Sequence, residues 1–298
     1  MSGTAPARFA HAALALVCAC ASAGCLAWRP GWEGFDPGSG ASAPAQLLED
    51  AERLHAAADD EARVRAAIAA QQRALTMDPG HRQALERLGE LHVLLGAAYL
   101  QSRQAKKAAY LAAIGACERA MALDPTFRAA VESGASVEEA GRHLGRDHAG
   151  AMFWWITAVS YLFKECQSPP QRVVNFRWMK RTQGLLERLG ELDWGYLEGG
   201  VPFTWGVYYL ALPRAVGGDL ERSAASFAEA VEMAPSSLLH RWGRAKYLHT
   251  KTGHRAAFEA DLQWVVAQDP RQATSPYRWN VYFQRDARTL LAAADRLF

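Results

Sequence analysis

The residues that could do chemistry in this 298-residue chain do not form a catalytic set. His143 and His148 flank Asp147, but they lie five positions apart and so lack the i, i+4 spacing that places two zinc ligands on one helix face. The Gly-Gly-Asp sequence at 217–219 suits a turn followed by a helix N-cap, since its glycines lack the spacing of a phosphate-binding loop. We therefore predict a protein that is not an enzyme, with no catalytic residues, no metal and no cofactor.

The cysteine with the clearest chemical context is Cys25, which follows Ser22-Ala23-Gly24 and an apolar run from Ala12 to Ala21. This arrangement resembles the lipobox of bacterial lipoproteins, in which the thiol is acylated and the peptide is cut before it, although Leu is commoner than Ser at position 22. The run is too short to span a bilayer. We predict a signal peptide over 1–24 and lipid attachment at Cys25; a weaker box ending at Cys20 and an ordinary secretory signal remain alternatives.

The segment 25–44 is rich in Gly, Pro and Ser, which predicts a flexible tether between the lipid anchor and the folded domain. Two further cysteines, Cys117 and Cys166, lie inside the domain. An oxidising compartment permits a bridge between them, and buried free thiols are the other interpretation.

The charge of the chain argues against nucleic acid as a partner. Lys and Arg number 33 and Asp and Glu 31, so the net charge is only +2, without the basic excess typical of nucleic-acid binders. The basic cluster at 177–181 is interpreted as a solvated helix face.

The elements that must position any functional residue are helices, and they recur along the chain. The sequence Arg-Ala-Leu-Thr-Met-Asp-Pro at 73–79 returns as Arg-Ala-Met-Ala-Leu-Asp-Pro at 119–125, and looser copies end at Pro235 and Pro270. Such endings are typical of tetratricopeptide (TPR) repeats, helix–turn–helix units of about 34 residues. We predict an all-α fold over 45–298: a single domain of TPR-like helical hairpins, curved or closed, with a C-terminal capping helix.

Certain residues define these repeats because they end helices, make turns or lie where two helices cross. Prolines cannot continue a helix, and helices approach within about 8–10 Å only if small residues lie at the crossing. The repeat-defining residues are Pro79, Pro125, Gly218, Phe227, Ala230, Pro235, Gly253 and Pro270. The first two prolines lie 46 positions apart, which predicts a lengthened hairpin around 99–105.

Several stretches resemble one family, the T component of tripartite ATP-independent periplasmic (TRAP) transporters. The most specific is the block Gly-Val-Tyr-Tyr-Leu-Ala-Leu-Pro-Arg-Ala-Val-Gly-Gly-Asp at 206–219, followed by Phe-Ala-Glu-Ala at 227–230. The segments 117–125, 153–155 and 287–298 are similar to the family as well. The resemblance covers nearly all of 46–298 and agrees with the fold that the repeats predict.

The resemblance implies a periplasmic lipoprotein, anchored through N-terminal acyl chains, that docks the solute-binding subunit of a TRAP transporter and passes an apolar ligand. It also implies homo-oligomers, with a trimer among them. Because Leu26 follows the cysteine, where Asp typically signals inner-membrane retention, the outer membrane is the expected location. The ligand-pocket candidates are Trp154, Trp155, Tyr208 and Tyr209, with plain core packing as the alternative for each ring. The competing function is a TPR-type outer-membrane lipoprotein scaffold for assembly of an envelope or secretion complex.

Overall fold

The computed structural model describes residues 30–38 and 40–298, and within these ranges every regular element is helical. Short 3₁₀ turns and one π-helical segment join the α-helices. In chain order the elements are α1 (Ala45–Ala56), α2 (Glu61–Met77), α3 (Arg82–Ala98), α4 (Arg103–Met121), α5 (Pro125–Glu132), α6 (Val137–Ala140), 3₁₀ turns at Gly141–His143 and Arg146–His148, α7 (Ala149–Cys166), α8 (Pro169–Val174), α9 (Arg177–Leu192), α10 (Tyr196–Ala211), a 3₁₀ turn at Arg214–Val216, α11 (Leu220–Met233), α12 (Leu238–Gly243), the π-helix Arg244–His249, α13 (Thr250–Thr252), α14 (Arg255–Ala267), α15 (Tyr277–Ala292) and α16 (Ala294–Leu297).

Neighbouring helices pack in pairs, as the repeat pattern predicts. The closest pairings are α3 with α4 and α10 with α11, while α7 packs against α3, α4 and α9. Helix starts follow local capping chemistry: the Asp124 carboxylate accepts from the Phe127 amide at 2.8 Å, with Pro125 in the first turn of α5. The chain is thus an all-α assembly of helical hairpins.

The repeat-defining residues of the third unit lie at the crossing of α10 and α11. Phe227 and Ala230 are fully buried, and a Cβ at Gly206 would lie 3.0 Å from the Phe227 ring. The turn between the two helices needs both of its glycines: Gly217 has φ +106°, and a Cβ at Gly218 would lie 2.0 Å from the Leu212 carbonyl oxygen. Small residues here allow the close helix approach.

The other repeat-defining residues lie at helix boundaries. Gly253 has φ +71° and ends α13 in the left-handed conformation that glycine adopts without strain. Pro79, Pro235 and Pro270 follow α2, α11 and α14. The longer spacing between Pro79 and Pro125 arises from helices of 17 and 19 residues, α3 and α4, joined by the short turn at 99–102.

The last long helix does more than cap the solenoid, because it returns to the first hairpins. Arg278 donates from Nε to Glu90 Oε1 at 2.7 Å, and the Trp279 indole donates to the same oxygen at 2.9 Å. Arg285 donates from Nη2 to the Ala98 carbonyl at 2.6 Å. These contacts join α15 to α3 across 187–189 positions of sequence. The curved or closed solenoid expected from the repeats is therefore closed.

Part of the segment predicted as a tether packs on the domain instead. Trp32 is 3% exposed and its ring lies 5.8 Å from that of Phe127, while the Gly31 amide donates to Glu118 Oε2 at 2.6 Å. The expectation of a flexible tether is therefore wrong for the chain around Trp32, because the buried indole and the Gly31–Glu118 hydrogen bond hold this segment on the domain. The signal peptide, Cys25 and the start of the tether lie outside the described residues. Cys117 and Cys166 are both buried and free.

Candidate functional site

A cavity of about 610 Å³ lies inside the closed ring of helices, within the size range of small-molecule sites. Its wall is formed by α7 to α10, α12, the π-helix, α13 and α15, and it is predominantly apolar. Large aromatic side chains from four different helices line it, among them Phe153, Trp154, Phe203, Tyr208, Trp242, Trp279 and Phe283. The aromatic residues of α7 and α10 therefore converge with those of α12 and α15.

Two of the four ligand-pocket candidates lie in the cavity wall. Trp154 stacks on Trp279 with a centroid distance of 5.5 Å and an interplanar angle of 10°. Tyr208 lies on α10, where its hydroxyl donates to Gln183 Oε1 at 2.7 Å, and burial raises its pKa to about 12. The structure thus brings Trp154 and Tyr208 together around one space, although they are 54 positions apart in the sequence.

The other two candidates do not line the cavity. Trp155 is fully buried, stacks on Trp178 at 6.2 Å and donates its indole N–H to Glu118 Oε1 at 3.0 Å. Tyr209 packs on Trp205 at 5.3 Å. The structure places both rings away from the cavity wall, because successive residues of a helix point about 100° apart and the neighbour of a cavity-facing residue faces elsewhere. Trp155 and Tyr209 are core residues.

A basic patch at the cavity was missed by the sequence reasoning. Lys164 of α7 and Lys246 of the π-helix both line the space, and Lys246 donates to Asp286 Oδ2 at 2.8 Å. Burial, reinforced by repulsion from Lys246, lowers the pKa of Lys164 to about 8. The one signal in the sequence for this patch was Lys164, a lysine near the end of the otherwise apolar helix α7. Its partner on the π-helix gave no signal, since π-segments form inside ordinary helical patterns.

One wall of the cavity contains an unusual stretch of backbone at the start of α10. Leu197, Glu198 and Gly199 have φ values of +49°, +54° and +94°, so two non-glycine residues occupy the left-handed region. The buried His240 side chain fixes this stretch, with Nε2 donating to the Glu198 carbonyl at 2.7 Å. Each such residue costs about 1–3 kcal/mol and tends to occur near functional sites. The strained stretch contributes Leu197 and Glu198 to the wall.

Two kinds of feature were sought in the described part of the chain: clusters of metal-binding side chains and membrane-spanning helices. Across residues 30–38 and 40–298 no group of three or more His, Cys, Asp and Glu side chains is arranged to hold a metal ion. In the same ranges no helix combines the length and apolar character needed to cross a bilayer.

Comparison with known proteins agrees with this architecture. The chain matches the family model described as TRAP transporter T-component over residues 75–298. A solved structure, a thermophilic TPR protein of Thermus thermophilus, is similar with a TM-score of 0.54 and 16% identity, over 84% of this chain and 98% of that one. At that identity the likeness concerns the fold, which is a TPR-like helical solenoid. No curated protein sequence gave a significant match. Because the family model covers most of the chain, this protein belongs to the TRAP transporter T-component family.

Proposed function

We propose that this chain is the non-enzymatic, lipid-anchored T component of a TRAP transporter, which docks the periplasmic solute-binding subunit and passes an apolar ligand through its cavity. Family membership already implies association with the transporter complex. The single observation that supports the finer proposal is the 610 Å³ cavity with its aromatic wall, since such spaces typically take apolar ligands oriented by few polar groups.

The anchor in this proposal is Cys25, acylated on the thiol and on the new amine after cleavage. Several acyl chains hold a protein at a membrane stably, whereas one gives only marginal binding. Leu26 directs the protein to the outer membrane in this proposal. The protein assembles as a homo-oligomer, and a trimer is the first assembly to test.

The alternative function, a scaffold lipoprotein for assembly of an envelope or secretion complex, needs a peptide-binding groove. TPR scaffolds offer such a groove on an open concave surface. In this chain the interior of the ring is closed by the contacts between α15 and α3, and its wall is aromatic. These observations favour a ligand cavity over a peptide groove.

Affinity purification from solubilised envelopes tests the docking step. With the lipidated full chain as bait, we expect to recover a periplasmic solute-binding protein. A Cys25→Ser variant is the matched control for the anchor: it should lose acyl labelling while keeping the partner. Recovery of outer-membrane assembly factors alone would refute the docking proposal and support the scaffold function. Persistent acyl labelling of the variant would move the attachment site to Cys20.

A further inference from the structure

The charged side chains around the cavity are unevenly distributed. Four basic residues line it, against the single acid Glu198. Three of the four basic residues already donate to groups within the protein. Lys246 pairs with Asp286 at 2.8 Å, Lys251 donates to the Leu210 carbonyl at 2.7 Å, and Arg172 donates to the Lys164 carbonyl at 2.6 Å. The fourth is Lys164.

Lys164 differs from these three in its surroundings. Its ammonium lies 4.2 Å from the centroid of the Tyr247 ring, and no acceptor in the described ranges lies within hydrogen-bond distance of Nζ. Lys164 lines the cavity and keeps part of its side chain open to solvent, while the atoms packed around its ammonium desolvate it enough to lower its pKa. An ammonium that is held against an aromatic face in an apolar space lacks the strong acceptor that would offset its desolvation.

Two tyrosines of the cavity wall lie near Lys164: Tyr247, whose ring faces the ammonium, and Tyr161, one turn earlier on α7. Tyr161 and Tyr247 line the cavity, and their hydroxyls lie within hydrogen-bond reach of each other. Tyr247 and Lys246 are presented by the π-helix, a form of helix that occurs often at functional sites. The wall of an apolar cavity therefore carries an ammonium that faces an aromatic ring and has no hydrogen-bond acceptor among the described residues.

This combination of walls and charge fits one class of ligand. We propose that the cavity binds a single-chain amphiphile with an anionic head group, the head lying at the Lys164 ammonium and the apolar chain lying along Trp154 and Tyr208. This inference rests on the proposed function, which has the cavity take an apolar ligand. What it adds is an anionic head group on that ligand. A carboxylate would give Lys164 the charge-assisted hydrogen bond that it lacks within the protein, and such bonds are stronger than those between neutral groups.

The charge state of Lys164 makes binding of the anion depend on pH. With a pKa near 8, its ammonium is largely charged at pH 7 and loses its proton as the pH rises through 8. The affinity for an anionic amphiphile should therefore fall above pH 8, while that for a neutral analogue should not. The other charged and titratable groups around Lys164 are Lys246, Glu165, Asp286, Lys106, Tyr161 and Tyr247.

The test uses fluorescence to measure the affinity of the purified full chain carrying Cys25→Ser for two probes. The probes are dansyl-labelled undecanoic acid and its methyl ester. We expect the acid to bind at least about 10-fold more tightly than the ester at pH 7. Lys164→Met should abolish that preference and leave the affinity for the ester unchanged. Lys251→Met, a second cavity lysine with an acceptor of its own, should keep the preference. Trp154→Ala should weaken both probes equally.

The outcomes separate this inference from the proposed function. Equal binding of acid and ester to the unaltered protein would overturn the head-group site and leave the apolar cavity intact. A preference for the acid that survives Lys164→Met would overturn the role of Lys164. Failure of both probes to bind would overturn the ligand part of the proposed function itself, with the head-group site.

Discussion

Replacing Glu90 with Gln should lower the free energy of unfolding, because this carboxylate joins α1, α3 and α15. Glu90 of α3 is 1% exposed and accepts from Arg278 and Trp279 of α15 through one oxygen. Its second oxygen lies 2.9 Å from His55 Nε2 of α1 and 3.8 Å from Arg87 Nη1. Glutamine keeps the shape of the side chain but removes the charge, and it leaves the Arg278 guanidinium buried without a counter-ion.

The expected loss follows from that geometry. Removing one partner of a buried ion pair costs about 3–5 kcal/mol, because the remaining charge stays desolvated and unpaired. Glu52→Gln is the matched control, since Glu52 pairs with Arg87 at 3.3 Å but is 37% exposed. Pairs of that kind contribute about 0–1 kcal/mol. The two variants change the same functional group and differ only in burial and partners.

Urea unfolding followed by circular dichroism measures both variants. A double mutant with Arg278→Met extends the test, since removing both charges should restore part of the free energy of unfolding lost in either single variant. The reasoning would be refuted if Glu90→Gln lost no more stability than Glu52→Gln. Strict additivity of Glu90→Gln and Arg278→Met would also refute it, since the two groups would then not be coupled.

The acid dependence of stability offers a check on the same group. Burial alone would raise the pKa of Glu90, but Arg278, with His55 and Arg87, outweighs burial and holds it far below its ordinary value of 4.5. A lowered pKa in the folded state means that Glu90 stabilises the fold above pH 4.5 and that this stabilisation is lost as the pH falls below it. The stability difference between the unaltered protein and Glu90→Gln should therefore shrink below pH 4.5.

Two further predictions concern the packing at Ala230 and a second acid, the half-buried Glu86. Ala230→Leu should destabilise the protein by about 1–3 kcal/mol, because Ala230 is fully buried at the α10–α11 crossing; an unchanged urea midpoint would contradict the repeat alignment. Burial raises the pKa of Glu86 to about 7, so the folded state holds its proton between pH 4.5 and 7 and stability should fall across that interval as pH rises. Glu86→Gln should remove that decline and, at pH 8, be more stable by about 1–3 kcal/mol in thermal unfolding; parallel pH profiles for both proteins would contradict this.

Much of the fold could be predicted from local patterns. Asp-Pro pairs mark helix boundaries because proline cannot continue a helix, and small residues mark helix crossings because only they let two helices interlock. Gly218, Phe227 and Ala230 accordingly lie at the turn and crossing where the repeat alignment places them. These signals come from residues that are close together in the sequence, so they can be recognised without the structure.

The candidate site was only half predictable. Periodicity identifies α7 as a helix buried on most sides, but it does not say which side faces a cavity and which faces the core. Trp154 and Trp155 are adjacent and chemically identical, and yet one stacks on Trp279 in the wall while the other donates to Glu118 in the core. Only the packing of α7 between its neighbours separates them.

The sequence by itself determined the helical hairpins and their turns, since these follow from residue spacing within about 35 positions, and it carried the resemblance to the family. The tertiary structure decided the closure of the ring, the cavity and the position of Lys164 in it. Glu90 and Arg278 are separated by 188 positions, and no local pattern indicates that they meet. Trp32 illustrates the same limit, because its surrounding Gly and Pro residues indicate a tether while its burial depends on a surface built by α4 and α5. Whether two distant parts of the chain meet depends on the packing angles of all the helix pairs between them. Those angles are set only when the protein folds.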